Sequence, residues 1–338
     1  MEMDVARTRS ARRGAAAGRY SAAEREGFRR GVTNVVAIAM STALRGHISE
    51  LQRNRSRLMP AGATTTLRGV APVPMPASAR RAPATELGAA LGARVTATDH
   101  GELLVWQKTI SEVWSHGGIV ARNLWAALDG VWTRPQAPAG LEALAQADPA
   151  RIAWLDIESA GFMGRPIFLV GMMRPQQDNL VITQLLATDY SRERALLAEC
   201  AQAMSDLQVL VTFNGKCFDL PFLRDRMAYH RVARELEMEH VDLLWPARRQ
   251  FRGVLPDCRL QTLERHLCRR MRPGDIPSAL IPERYHEFVR TQEASLIAPV
   301  LRHNRLDLLT MAELSARLLE CAGVCDAEVP PAHSADVE

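Results

Sequence analysis

Lysine is almost missing from this chain. Of 42 basic residues only Lys108 and Lys216 are lysine, and the other 40 are arginine, a bias that points to GC-rich coding more than to a binding specialisation. Aromatic residues make up only 5%, so no broad stacking surface is advertised. The six cysteines, at 200, 217, 258, 268, 321 and 325, form no CxxC pair and no zinc-finger spacing. Cys321 and Cys325 lack partner ligands, and no secretory signal is visible, so reduced thiols are expected. The longest apolar run, Val32–Leu44, has 13 residues interrupted by Asn, Thr and Ser, too few to span a bilayer. Glu2, Asp4, Glu24 and Glu26 argue against an organelle transit peptide. The expectation is a soluble, cytoplasmic protein with no membrane association.

What is present is unevenly charged. Residues 1–90 hold 15 Arg against 6 Asp and Glu, a net +9, which leaves +4 − 9 = −5 on the remainder. A basic arm on a mildly acidic domain suits a polyanionic partner; a solvated arm without a ligand is the alternative. Residues 1–85 read as this arm, with a capped helix over Ser21–Leu51 and a Pro-rich linker over 54–85. Residues 86–150 read as a lead-in hairpin, Arg94–Gln107 turning at Asp99-His100-Gly101, followed by helices near Ile119–Leu128 and Leu141–Ala147. Residues 323–338 read as a tail.

The main domain, 151–322, opens with three strands, Ile152–Ile157, Ile167–Met172 and Leu180–Leu186. Short Gly- and Pro-bearing links make them an antiparallel meander. A helix over 192–205 follows. Gln208–Phe213 then reads as a buried strand, parallel to the first because helices flank it. A helix over Asp219–Arg231 and a short fifth strand, His240–Leu243, come next. The rest is helical: Leu260–Leu267, Tyr285–Arg290, and Ser295–Glu320 broken near Pro299. The expected class is α/β, a central mixed five-stranded sheet flanked by helices.

Three stretches carry the chemistry. In Trp154-Leu155-Asp156-Ile157-Glu158 the two acids are two apart on a strand, so they share a face. Two neighbouring carboxylates in a buried strand are unfavourable without a cation. In Phe213-Asn214-Gly215-Lys216-Cys217-Phe218-Asp219 a tight turn leaves a strand end, where open α/β sheets bind ligands, and Asp219 starts a helix. In His303-Asn304-Arg305-Leu306-Asp307 the His and the Asp are four apart on one helix face. Each has an ordinary reading taken alone: a solvated strand end, a helix N-terminal acid, a surface i,i+4 pair. Together they supply four hard carboxylates and a histidine, the donors that two divalent ions about 4 Å apart require. Asn214 and Lys216 are candidates to touch a substrate phosphate or sugar, with a purely turn-forming Asn as the alternative.

These motifs resemble those of the DEDD 3′–5′ exonuclease superfamily, and more nearly the YprB-like predicted exonucleases with the ribonuclease H-like fold. The resemblance extends to Phe218-Asp219-Leu220-Pro221, His240-Val241-Asp242-Leu243-Leu244, Leu260-Gln261-Thr262-Leu263-Glu264, Asp275-Ile276-Pro277, Ile281-Pro282, Tyr285 and His303-Asn304. It covers roughly residues 95–320. It implies that Asp156, Glu158, Asp219 and Asp307 bind two divalent ions, Mg²⁺ or Mn²⁺. It further implies that His303 deprotonates the attacking water, and that single-stranded DNA or RNA is cut from its 3′ end to nucleoside 5′-monophosphates. One departure stands: His303 lies four residues before Asp307, where exonucleases of that superfamily with a catalytic His place it five before and those with Tyr place it four before. A structure-specific endonuclease of the same fold, or a catalytically inactive nucleic-acid-binding adaptor, are the rival readings. Protein partners are not legible.

Overall fold

A computed structural model of the protein describes residues 83–131, 137–232 and 236–320. The arm, most of the linker, the 21–51 helix and the C-terminal tail lie outside the described residues. Seven strands form one sheet: β1 (Arg94–Thr98), β2 (Gly101–Thr109), β3 (Ile152–Ser159), β4 (Ile167–Gln176), β5 (Asn179–Leu186), β6 (Val209–Thr212) and β7 (Glu239–Asp242), in the order β1-β2-β5-β4-β3-β6-β7. The meander is antiparallel, with Asp156 opposite Gly171 across β3 and β4. Strand β6 runs parallel to both β3 and β7. This is the mixed sheet of a ribonuclease H-like fold.

The expectation of five strands is corrected to seven. The lead-in hairpin does not stand apart: β2 pairs antiparallel with β5, from Leu104 opposite Leu186 to Thr109 opposite Val181. Leu103 to Trp106 form a continuous apolar run, all four buried, which is the signature of a strand covered on both faces.

The helices are α1 (Ala84–Leu91), α2 (Ile110–Val113), α3 (Gly117–Val131), α4 (Glu142–Gln146), α5 (Glu193–Ala203), α6 (Asp219–Tyr229), α7 (Leu244–Phe251), α8 (Leu260–Leu263), α9 (Ile281–Thr291) and α10 (Ala294–Glu320). No described helix is long and apolar enough to cross a membrane. They cover both sheet faces. On one, α5, α6 and α9 bury Leu196, Leu197, Leu223 and Phe288 against Leu155, Phe168 and Val170. On the other, α3 and most of α10 bury Leu124, Leu308 and Met311 against Trp154, Met173 and Ile182.

Helix α10 is not broken at Pro299; it continues through it. Pro299 lies in the second turn, so only one backbone bond near the N-terminus is lost. Ile297, Val300 and Leu301 around it are fully or almost fully buried, and that packing holds the turn. The consequence is one continuous 27-residue helix that carries His303, Asn304 and Asp307.

Candidate active site

The site is built at the C-terminal ends of the parallel strands. Along β3, Trp154, Asp156 and Glu158 share the face that meets α10. Trp154 is completely buried and its Nε1 donates to Ser315 Oγ at 2.9 Å. Two residues on, Asp156 meets Asn304: the amide Nδ2 donates to Asp156 Oδ2 at 2.7 Å and to its backbone oxygen at 3.1 Å. Asn304 is itself oriented from the other side, because Gln184 Nε2 on β5 donates to its Oδ1 at 2.7 Å. Space for this amide exists only because residue 171 is glycine, as a Cβ there would fall 2.0 Å from Asn304 Oδ1.

The turn after β6 positions the third acid. Asn214 adopts a left-handed backbone (φ 64°), and Gly215 is needed because a Cβ there would lie 2.2 Å from Thr212 Oγ1. Buried Asp242, at the end of β7, accepts the N–H of Asn214 at 2.7 Å and of Lys216 at 3.1 Å. Asp219 opens α6, and its Oδ1 accepts the N–H of Ile157 at 3.3 Å, which places it between the two acids of β3. The Lys216 side chain is exposed at the rim.

The fourth acid and the histidine come from α10. His303 is 3% exposed. Its Nδ1 lies 2.9 Å from Asp275 Oδ2 and its Nε2 lies 3.5 Å from Asp307 Oδ2. Ser278 Oγ stands 3.4 Å from the same Nε2. Asp307 Oδ1 is 2.6 Å from Arg272 Nη1. Arg272 also binds Glu264 through Nε and Thr310 Oγ1 at 3.1 Å. The guanidinium thereby ties the buried Glu264 to the site.

The four acids lie in one another's field. Burial, then Asp307, Glu158 and Asp219, push the Asp156 carboxyl well above the usual range. Burial, then Asp307, Asp219 and Asp275, do the same to Glu158. Asp219 is raised to about 7, by burial first and then by Asp242 and Asp307, against two backbone hydrogen bonds that lower it. Asp307 is raised by burial although Arg272 and His303 oppose this. Carboxylates raised by burial and by neighbouring acids in this way lack enough counter-charge.

The donor set fits hard divalent cations: it is all oxygen, drawn from β3, α6 and α10, and excess in negative charge. Among the described residues, no three Asp, Glu, His or Cys side chains already form a metal-holding cluster. Asn304 and Arg272 occupy one oxygen each of Asp156 and Asp307 instead.

All five residues expected from the sequence as ligands or base therefore converge, with Asn214 and Lys216 in the adjoining turn. Reading the sequence missed the residues that hold them: Gly171, Gln184, Asp242, Arg272, Asp275 and Asn304. Asp242, Asp275 and Asn304 lie inside the stretches that carry the family resemblance, which was a usable signal. Gly171, Gln184 and Arg272 carry no local pattern.

An α/β domain with paired acids on a central strand and further acids from two helices has the layout of a ribonuclease H-like fold. Residues 153–319 match the family model described as the RNase_H superfamily. The uncharacterized protein YprB of Bacillus subtilis (strain 168) is 31% identical over 186 residues, 54% of this chain and 45% of the relative; the chain thus spans less than half of that relative's length. A family B DNA polymerase from the hyperthermophilic archaeon Pyrobaculum calidifontis shares 17% identity at a TM-score of 0.40, over 51% of this chain and 25% of the polymerase. The match over residues 153–319, just under half of the chain, makes this domain similar to the ribonuclease H superfamily, in keeping with its mixed sheet.

Proposed function

We propose that this protein is a metal-dependent 3′–5′ exonuclease that hydrolyses single-stranded DNA or RNA to nucleoside 5′-monophosphates. The observation that carries this reading is the convergence of Asp156, Glu158, Asp219 and Asp307, all raised first by burial, with Asp307 adding to the rise of the other three. Such a cluster calls for cations, and Asp156, Glu158, Asp219 and Asp307 would hold them. Two bound Mg²⁺ or Mn²⁺ ions would supply activation of the attacking water and stabilisation of the leaving 3′-oxygen.

The protein's own groups do the rest. Nδ1 of His303 lies against Asp275 and Nε2 faces Asp307; with the Nδ1 proton given to Asp275, Nε2 would be the basic nitrogen. That atom can take a proton from water held beside Asp307. Asn304 fixes Asp156 in one rotamer, and the Asn214–Lys216 turn offers an amide and an ammonium to a phosphate or sugar.

The test is digestion of 5′-labelled single-stranded DNA and RNA with Mg²⁺, Mn²⁺ or EDTA. A metal-dependent ladder shortening from the 3′ end is expected. Internal cuts would make the protein an endonuclease, and no cutting with any metal would leave it a binding protein.

A further inference from the structure

Helix α7 begins immediately after β7, whose Asp242 holds the Asn214–Lys216 turn. Its sequence, Leu244-Trp245-Pro246-Ala247-Arg248-Arg249-Gln250-Phe251 and then Arg252, divides by face. Leu244 and Ala247 are buried and Phe251 is half-buried, at i, i+3 and i+7, so this is the stripe that seats the helix. Trp245, Arg248 and Arg249 stand at i, i+3 and i+4 of a second stripe, Arg252 follows as the C-cap residue with extended backbone, and all four are exposed.

That second stripe is costly to the isolated fold. Trp245 leaves 56% of its surface in solvent. Arg248, Arg249 and Arg252 put three like charges in five consecutive positions at the end of the helix. Among the described residues none of these three guanidiniums is in an ion pair or a side-chain hydrogen bond. Nearby Arg259, by contrast, has Asp257 at 3.7 Å. The Arg248 guanidinium lies 5.8 Å from the Trp245 ring centre, so the cation and the aromatic face form one surface.

Resting on the nuclease reading above, we propose that the Trp245–Arg248–Arg249–Arg252 stripe of α7 is the binding track for a single nucleic-acid strand running to or from the carboxylate site. The chemistry fits that partner. An exposed indole accepts any base by stacking, and a row of arginines follows the phosphates without reading sequence. The stripe covers about 10 Å of helix and starts in the first turn after β7. Strands β3, β6 and β7 run parallel, so this is the sheet edge at which Glu158 and the Asn214–Lys216 turn also lie. A strand held on α7 is thereby delivered to the carboxylates.

The experiment measures binding of a 5′-fluorescein-labelled 20-nucleotide thymidine strand, and of a duplex of equal length, to the full chain in EDTA across a salt series. Replacing Arg248, Arg249 and Arg252 together by Ala should flatten the log–log salt dependence by about two, at about 0.7 for each single-strand phosphate contact. Trp245→Ala should weaken single-strand binding roughly 5- to 150-fold at unchanged salt slope. All four side chains are exposed, so melting temperatures should match the parent's or rise slightly as the clustered charge is removed. Parental affinity and slope in both variants would overturn the track while leaving hydrolysis intact; so would losses confined to the duplex. A parent chain that neither binds nor cuts single strands under any condition would remove the nuclease reading itself.

Discussion

Asn304 and Gly171 are fitted to one another across the sheet: the Asn304 amide fills the place where any other residue 171 would carry its Cβ. From there Asn304 reaches Asp156 twice. Gly171→Ala should therefore expel the amide and destabilise the protein by about 1–3 kcal/mol, the usual cost of overpacking. Combined with Asn304→Ala the same change should cost much less, because the clash has gone. Urea unfolding of the two single variants and the double variant checks this, and additive losses would show that the two residues act separately.

Replacing Asp156 or Asp307 by Asn keeps the shape and removes one charge. Either variant should lose metal-dependent hydrolysis, while unfolding without metal should be unchanged or shifted to higher temperature for Asp156→Asn, since one repulsive charge is gone. Asp307→Asn also weakens the ion pair with Arg272, so its melting temperature should rise less. Full activity in a well-folded variant of either kind would end the metal-ligand assignment.

The pH dependence has a definite sign. Asp219 holds its proton up to about 7 in the folded protein, against about 4 for an ordinary Asp, and Asp156 and Glu158 are displaced in the same direction. Between those limits the folded state binds more protons than the unfolded one, so the contribution of these groups to stability falls as pH rises from about 4 to about 7. Mn²⁺ or Mg²⁺ should offset the loss by binding the folded form. The metal-induced rise in melting temperature should thus be larger at pH 8 than at pH 5, and equal rises would contradict the assignment.

His303 and Asp275 form a pair 2.9 Å apart, and their roles separate by kinetics. His303→Ala should lower turnover about 10²–10⁴-fold with metal-induced stabilisation retained. Asp275→Ala should lower turnover less, since the ring remains but its orientation is released. The acidic limb of the rate profile should move in the first variant. A His303→Ala enzyme with parental turnover and profile would reduce the histidine to a packing role.

Much of this was legible in the chain because the chemistry is carried by short local motifs. Period-two spacing put Asp156 and Glu158 on one face, period 3.6 put His303 and Asp307 on another, and Asn214-Gly215 marked the turn before Asp219. Those periods follow from backbone geometry and need no partner. The antiparallel meander followed from its short links, and the parallel β6 from the helices that flank it. The arrangement of supports did not. Whether β2 would join the sheet, whether α10 would run through Pro299, and which residues would hold the acids depend on contacts between segments far apart in sequence. Gln184 reaches Asn304 across 120 positions and Asn304 reaches Asp156 across 148. Sequence by itself determined which acids could meet. Only the tertiary structure decided that Gly171 leaves room for the amide between them, because the cost of a misplaced methyl group exists only once β4 and α10 are packed together.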